Sequence, residues 1–472
     1  MTDTGIRIDF NNCMAARIGK AGLTDKELAT AAARARRAFK AVARARKRKK
    51  LAWAELPHER ETLEKIHESW EAKREAFDDI VVLGIGGSAL GAICLRSALL
   101  HPEHNRLCVK DRDGPGLHVL DNVDPNQVGG LLDTLNLKRT LFLVVTKSGG
   151  TAETMAKFLL ARERVKRMAG KTWRERFVCV TGEAGALSKI AAKEKFETLP
   201  VPEGVGGRFS VLSTVGLYPA VAAGIDAEKL LDGAAAMDAA CASPEMSENP
   251  ALANAALLWL FAKKRKCNVH VMMPYAHALR DVADWYRQLW AESLGKRVDR
   301  KGKVVNAGQT PVKALGVTDQ HSQVQLYVEG PYDKLVTFVA VEKFDHYVRI
   351  PRAYERVEAA AYLGGRAFGD LLEAERRGTE LALSSAGRPN ETIWLAGVTP
   401  RTVGALLYML ELQTAYAGEM YEVNAFDQPG VEAGKVATCA LMGRKGFDKE
   451  RKRIEKARAP EAKYVVGGDA GR

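Results

Sequence analysis

The sequence predicts an α/β fold built on parallel sheets with helices on their faces. Short apolar runs typical of buried strands alternate with segments of helical character, and this alternation occurs twice along the 472 residues. Such spacing is typical of βαβ units, whose crossover helices cover a parallel sheet. Hydrophobic residues make up 46% of the chain, enough to fill the core of a large globular protein. We therefore expect two α/β subdomains in one chain.

The first alternation follows an N-terminal segment, residues 1–75, that is rich in Ala, Arg and Glu and is predicted to be helical. Residues 76–222 should form the first subdomain, which includes a helix from Thr154 to Met168. Its expected strands are Ile80–Leu83, Leu117–Leu120, Leu141–Val145, Phe177–Val180 and a short strand near Phe196.

The second alternation should form a subdomain over residues 223–440, followed by a basic C-terminal helix and tail over 441–472. It opens with a long helical stretch from Gly224 through Lys264. The expected strands are Val269–Met273, Val324–Val328, Leu335–Val341 and Thr392–Ala396. The expected helices between them are Leu279–Leu294, Glu355–Arg377 and Arg401–Tyr416.

The net charge of +13 is concentrated in Arg34–Lys50, where ten of seventeen residues are Lys or Arg. A nucleic-acid patch and a solvated helix face both fit this run. The solvated face fits better, because Phe39 is the one aromatic residue in it, and we expect no nucleic-acid partner. Seven scattered cysteines without CxxC pairs, no leader-like start and no membrane-length apolar run favour a cytoplasmic protein without a membrane partner.

Three hydroxyl side chains follow the apolar run Leu141–Val145, at the point where a strand turns into a helix. They belong to Thr146, Ser148 and Thr151, with Lys147 among them and glycines between them. Backbone N–H groups and the positive end of the helix dipole favour an anion at such a turn. The segment predicts a phosphate cradle, although an ordinary Ser/Thr/Gly-rich helix start fits equally well.

A glycine-rich turn follows the first expected strand. Gly84, Gly86 and Ala89 satisfy a dinucleotide fingerprint, and Asp121 ends the next strand, so a nicotinamide enzyme is one interpretation. However, Ser88 places a hydroxyl at the helix start. Two hydroxyl-bearing turns at neighbouring strand ends suit a compact phosphate monoester better than an extended pyrophosphate.

Two further segments carry candidate catalytic groups. Gly207 would let the backbone approach a ligand, and Arg208 offers a fork of donors for developing oxyanion charge. Gln288 and Glu292 share one helical face, and apolar neighbours would help Glu292 to serve as a general base. A turn with a surface arginine and an exposed glutamate on an amphipathic helix are the alternatives.

His321 and Lys435 are weaker candidates. His321 lies just before an expected strand, and most single histidines are structural. Lys435 follows the Pro429-Gly430 break before an expected helix, where most lysines are solvated. No His/Cys/Asp/Glu cluster in the sequence has metal-ligand spacing, so we expect no metal.

Together and in this order, six blocks resemble the phosphoglucose isomerase family. The blocks are GIGGSALG at Gly84, TKSGGTAET at Thr146, GGRFS at Gly206, QLWAESLGK at Gln288, DQHS around His321 and FDQPGVEAGK at Phe426. The resemblance runs from about Ile80 to Lys435. It implies two sugar-isomerase (SIS) subdomains, each a mostly parallel sheet sandwiched by helices, in a homodimer. It also implies interconversion of glucose 6-phosphate and fructose 6-phosphate in glycolysis and gluconeogenesis, without metal or cofactor.

The resemblance assigns a role to each matching residue. Glu292 would be the base that moves a proton between C2 and C1 through a cis-enediolate, and Arg208 would stabilise that intermediate. His321, reaching the site from the partner subunit, and Lys435 would assist ring opening. The substrate would be bound by Gly87, Ser88, Thr146, Lys147, Ser148, Thr151, Gly207, Gln288 and Gln428.

Three departures from the family pattern are visible. Thr146 stands where many relatives have Ser, and Ala433 replaces a common Leu. Gly150 stands where a Thr is usual, which removes a hydroxyl beside the expected phosphate. Selectivity therefore stays open, and a dual phosphoglucose/phosphomannose isomerase is the close alternative. A non-catalytic sugar-phosphate sensor would use the same cradle without needing Glu292.

Overall fold

The computed structural model describes residues 4–457 and 461–467. The chain divides into two compact units, Met1–Phe426 and Asp427–Arg472. The first unit contains the sheets, and the described part of the second is helical. Among the helices of these described ranges, none combines the length and the apolar composition needed to cross a membrane.

The strands all belong to the first unit. In chain order they are β1 (Ile6–Asp9), β2 (Asp79–Leu83), β3 (Gly116–Leu120), β4 (Thr140–Thr146), β5 (Phe177–Thr181), β6 (Glu197–Pro200), β7 (Val269–Pro274), β8 (Lys296–Val298), β9 (Val304–Ala307), β10 (Thr310–Lys313), β11 (Lys334–Val341) and β12 (Asn390–Leu395).

The α-helices vary from single turns to 23 residues. In the first unit they are α1 (Ala15–Ile18), α2 (Asp25–Lys47), α3 (Glu61–Glu71), α4 (Leu90–Leu99), α5 (Pro125–Thr134), α6 (Ala152–Ala169), α7 (Ala186–Glu194), α8 (Thr214–Ala222), α9 (Ala227–Ala240), α10 (Pro250–Leu260), α11 (Arg280–Leu294), α12 (Val324–Glu329), α13 (Glu358–Ala361), α14 (Phe368–Ser385) and α15 (Pro400–Tyr421). The second unit contains α16 (Glu432–Leu441) and α17 (Asp448–Glu455).

The first sheet confirms the predicted parallel arrangement. Its strand order is β3-β2-β4-β5-β6, and every neighbouring pair is parallel. β4 is buried along its whole length, as expected for a strand covered on both faces. Leu83 pairs with Leu120 on one side and Val144 on the other, so the carboxyl ends of β2, β3 and β4 meet at one edge. The turns that follow β2 and β4 therefore leave the sheet side by side.

The second sheet has the order β1-β12-β11-β7-β10. All its pairs are parallel except β1 with β12, which is antiparallel. The prediction of a wholly helical N-terminal segment is therefore wrong at Ile6–Asp9. Ile6 and Ile8 alternate with polar residues at the period of a strand. This four-residue run is too short to have been distinguished from a helix by pattern alone.

Three other expectations about elements are wrong. Val324–Val328 forms α12 instead of a strand, because Val324, Tyr327 and Val328 follow the i, i+3, i+4 spacing that places them against one core cluster. The helix expected over Glu355–Arg377 is interrupted between α13 and α14, where Gly365 has a φ of +87°. The long helix after Gly224 is two helices, because the Asn249 side chain accepts from the N–H of Leu252 and caps α10.

α15 lies at the centre of the core. Nearly all of its residues are buried, and it packs against α9, α10 and α11. A helix with apolar residues around most of its circumference favours such an enclosed position. The helix that carries Gln288 and Glu292 is therefore supported by a rigid neighbour.

The basic helix α2 uses part of its charge inside the first unit. Arg36 pairs with Glu245 at 2.6 Å, and Arg46 pairs with Asp238 at 2.6 Å. The Arg34 guanidinium donates to the Met420 carbonyl at 2.6 Å. The opposite face, with small apolar residues, is buried in the core. α2 is thus an amphipathic helix with a solvated, partly paired face.

Candidate active site

The three hydroxyls of the predicted cradle lie together at the carboxyl end of β4. The oxygens of Thr146 and Thr151 are 3.0 Å apart, those of Ser148 and Thr151 are 3.3 Å apart, and those of Thr146 and Ser148 are 3.5 Å apart. Thr151 directly precedes α6, and its side chain caps no N–H of that helix. The cluster therefore places three hydroxyl donors at a helix N-terminus, an arrangement that suits an anion.

The backbone of this cradle depends on one glycine and leaves space at another. Gly149 has a φ of +66°, and a Cβ there would lie 3.0 Å from the Ala186 nitrogen. At Gly150 a Cβ would meet only the Ser148 carbonyl oxygen, at 4.0 Å. Packing therefore does not exclude a side chain with a hydroxyl at position 150. Lys147 is exposed beside the cluster.

The glycine-rich turn after β2 packs against a second glycine turn. A Cβ on Gly87 would lie 2.2 Å from the carbonyl carbon and oxygen of Gly207, closer than any real contact. There is no space for a side chain at Gly84 either, since a Cβ there would lie 2.2 Å from the backbone carbonyl oxygen of Ser88. Gly86 has a φ of +55°, and its Cβ would approach Gln288 Nε2 at 2.9 Å. Three of the sequence blocks thus meet at this turn.

Arg208 is buried and fully engaged, so the surface-arginine interpretation is wrong. The residue is 4% exposed. Its Nε donates to Ser293 Oγ at 2.7 Å and its Nη2 to the Ala425 carbonyl at 2.6 Å. Its Nη1 donates to Glu292 Oε2 at 3.2 Å. The guanidinium is thereby fixed in one orientation beside the Glu292 carboxylate, which is how a preorganised oxyanion donor is held.

Glu292 is held at both oxygens and still reaches solvent. Its other oxygen, Oε1, accepts from Gln288 Nε2 at 3.1 Å, one turn earlier on α11. The side chain is 31% exposed, compared with 3% for the Arg208 side chain. A carboxylate that is both oriented and accessible can take a proton from a bound substrate.

Gln288 offers an acceptor to a ligand. Its Oε1 is buried and has no hydrogen-bond partner within the described part of the chain. A buried unpaired carbonyl costs free energy, which a ligand hydroxyl would recover.

Ser293 is a site residue that the sequence interpretation did not identify. It is fully buried and accepts the Nε bond of Arg208. A hydroxyl inside the otherwise apolar buried face of α11 was the available signal, because a buried polar side chain requires a partner. The Ala425 carbonyl, a further acceptor of Arg208, is a backbone group, so no side chain in the sequence indicates its role.

His321 is exposed at the end of a short 3₁₀ turn, Thr318–His321. Its neighbours are anchored, since Tyr275 donates to Gln320 at 2.6 Å and the Leu315 N–H donates to Asp319 at 2.7 Å. Across the described residues, no hydrogen bond or ion pair joins His321 to Glu292. Its role stays a prediction.

The second unit carries the two remaining candidates. Lys435 is exposed on α16 and pairs with Glu432 of the same helix at 2.9 Å. Gln428 directly precedes the 3₁₀ turn Pro429–Val431. Their roles in the site also stay predictions.

Within the described ranges, no group of three or more His, Cys, Asp or Glu side chains is arranged to hold a metal ion.

The sequence is similar to proteins of one family over most of its length. Residues 23–452 match the family described as Phosphoglucose isomerase. The glucose-6-phosphate isomerase of Carboxydothermus hydrogenoformans is 43% identical over 98% of this chain and 99% of the relative. The protein of the same name from Rubrobacter xylanophilus is 48% identical over 83% of this chain and 89% of the relative.

Two solved structures share the fold. A hypothetical protein from Thermus thermophilus superimposes with a TM-score of 0.83 at 39% identity, covering 93% of this chain and all of that one. A glucose-6-phosphate isomerase from Chlamydia trachomatis gives a TM-score of 0.71 at 25% identity, covering 89% of this chain and 80% of the other. With its motifs, its fold and these relatives in agreement, the chain belongs to the phosphoglucose isomerase family.

Proposed function

We propose that this protein interconverts glucose 6-phosphate and fructose 6-phosphate, with Glu292 as the base. The observation that carries the proposal is the pairing of an accessible carboxylate with a buried, oriented guanidinium, 3.2 Å apart, next to the glycine turn after β2. That turn leaves the sheet beside the hydroxyl cradle. The phosphate would bind at the cradle and place the C1–C2 end of the sugar at Glu292.

The chemistry requires a base and an oxyanion donor to act together. The proton beside a carbonyl is a very weak acid, and its removal leaves negative charge on the sugar oxygens. Glu292 would carry the proton between C2 and C1, while Arg208 would stabilise the cis-enediolate. General-base help contributes about 10²–10⁴-fold. A single oriented oxyanion donor contributes about 10²–10³-fold.

Substrate contacts would come from both glycine turns and the cradle. Binding energy from the phosphate, which is remote from the reacting carbons, would hold C1 and C2 at the base. Gln288 would accept from a sugar hydroxyl through its unpaired Oε1, and Gln428 would bind a hydroxyl or a positioning water. The remaining contacts would be Gly87, Ser88, Thr146, Lys147, Ser148, Thr151 and Gly207.

Ring opening must precede proton transfer, and we assign it to His321 and Lys435. The exposed position of His321 supports delivery from the partner subunit of a homodimer. The dimer would then be required for a complete site.

Purified protein should convert fructose 6-phosphate to glucose 6-phosphate at an undiminished rate in excess EDTA, measured by coupling to glucose 6-phosphate oxidation. Isomerisation lost on adding EDTA would contradict the metal-free mechanism, and no isomerisation at all would contradict the proposal. Mannose 6-phosphate supplied in parallel tests the dual-specificity alternative, which requires comparable turnover of both sugars. Sugar-phosphate binding without any turnover would instead favour a sensor.

A further inference from the structure

The proposed mechanism assigns no role to one buried cation, the Lys157 ammonium. Lys157 lies on α6 and is 3% exposed. Its Nζ donates to the carbonyl oxygen of Gly84 at 2.7 Å and to that of Leu120 at 2.6 Å. Lysine is among the residues least often buried, and here its ammonium is satisfied by carbonyl groups in place of a carboxylate.

The two carbonyl groups belong to neighbouring strand ends. Leu120 is the last residue of β3, and Gly84 directly follows β2. Lys157 itself lies five residues into α6, whose first turn follows the hydroxyl cradle at the end of β4. One side chain therefore joins the helix that begins at the cradle to the carboxyl ends of the two adjacent strands.

Anchoring Gly84 also anchors Ser88. The turn between them is so tight that a Cβ on Gly84 would lie 2.2 Å from the backbone carbonyl oxygen of Ser88. We propose that Lys157 is a positioning residue of the anion site, because its ammonium holds the Gly84–Ser88 turn against the helix that carries the cradle. The identity of the anion as a sugar phosphate rests on the proposed function.

Since Lys157 lies on the helix that begins at the cradle, we expect its ammonium to add positive charge near a bound anion as well. Burial lowers the pKa of Lys157 to about 8, against the opposing influence of the charged groups that face it, Asp121 and Glu153. A bound dianion favours the protonated form. Anion affinity should therefore be highest below about pH 8 and should fall as the pH rises through that value, with proton uptake on binding.

Sulfate is a suitable probe, because it stays a dianion at all of these pH values. We would titrate it by calorimetry from about pH 7 to about pH 9, using the wild-type protein, Lys157→Met and Lys166→Met. Lys166 is exposed on the same helix and provides the matched control. Lys157→Met should bind sulfate about tenfold more weakly at neutral pH, the size of one charge contact, and should lose the decline above pH 8. Lys166→Met should behave as the wild type does.

With fructose 6-phosphate, Lys157→Met should raise KM much more than it lowers kcat, because Glu292 and Arg208 are untouched. Sulfate affinity within twofold of the wild type, or an unchanged pH profile, would overturn the proposal. If Lys157→Met fails to fold, proton uptake by the wild type decides: sulfate heats measured near pH 8 in two buffers of different ionisation enthalpy should differ, and equal heats would overturn it. A protein that shows these effects without isomerising any sugar would contradict only the proposed function.

Discussion

At the residue scale, a buried network of hydrogen-bonded polar side chains connects the second sheet to α11. Thr337 donates to Glu391 at 2.7 Å, and His270 is 2.8 Å from the same hydroxyl. The Tyr286 hydroxyl is 3.2 Å from the other His270 nitrogen, and Gln413 donates to Tyr286 at 3.0 Å. Tyr286 is on α11, so this network links the helix that bears Glu292 to β7, β11, β12 and α15.

Burial favours the neutral forms of two titratable groups in this network. Burial lowers the pKa of His270 to about 3. Burial raises the pKa of Glu391 to about 7, although hydrogen bonds from Thr337 and Asn254 oppose the shift. The folded pKa of Glu391 exceeds its unfolded value of 4.5. Its contribution to stability is therefore complete below about pH 4.5 and is lost as the pH rises through 7.

Glu391→Gln should consequently be more stable than the wild type at about pH 8, by up to about 3 kcal/mol, and within about 1 kcal/mol of it at about pH 5. The amide mimics the neutral carboxylic acid and cannot ionise. Urea unfolding at both pH values measures the difference. Glu203→Gln, in an exposed turn, is the control and should show no such pH dependence. A Glu391→Gln variant that is less stable at both pH values would show that the carboxylate is needed in its charged form.

At the element scale, the site depends on two glycine turns in van der Waals contact. The turn after β2 and the turn that carries Arg208 approach so closely that there is no space for a Cβ at Gly87. The position of Arg208 relative to the sheet is thus set by backbone contact, and a small change in that contact moves the oxyanion donor.

Gly87→Ala should therefore lower kcat/KM by about 100-fold, the cost of a displacement of roughly 1 Å in an active site. The new Cβ would lie 2.2 Å from Gly207 and would force the two turns apart. Gly129→Ala on α5 meets no atom within 4 Å and serves as the control for a glycine replacement without a clash. Steady-state kinetics with thermal unfolding separate the site effect from loss of fold. Near-normal kcat/KM in Gly87→Ala would contradict the inferred contact.

Local pattern was sufficient to predict the elements that build the site. The strands ending at Leu83 and Thr146, and the helix with Gln288 and Glu292, have strong apolar periodicity and clear turn residues after them. Elements without such signals were missed or misassigned, such as β1, four residues long, and α12, whose valines suggested a strand. Two acceptors of Arg208 could not be predicted either. Ser293 and Ala425 lie 85 and 217 residues away in sequence, and Ala425 accepts through its backbone carbonyl.

At the scale of the whole molecule, the proposed delivery of His321 from a partner subunit needs two copies of the chain. The tyrosines at positions 347, 354 and 362 are each at least 70% exposed, and a second copy could cover such side chains. If His321 reaches the partner's site, each active site contains residues of both chains.

Mixing two inactive variants tests this arrangement. Co-expressed Glu292→Gln and His321→Ala chains should form heterodimers in which one site has both defects and the other has neither. Random pairing should then restore about a quarter of the wild-type activity, although each variant alone is inactive. Activity of the mixed sample that does not exceed the sum of the separate variants would show that His321 acts within its own chain.

In the proposed mechanism, Glu292 moves the proton while Arg208 and the cradle hold the rest of the substrate in place. The most direct measurement is the turnover of Glu292→Gln with fructose 6-phosphate, set beside its affinity for the same sugar. The amide preserves the side-chain shape and the bond to Arg208 but cannot accept the proton. Turnover should fall by about 10²–10⁴-fold while affinity changes only a few-fold. Near-normal turnover in Glu292→Gln would contradict the claim.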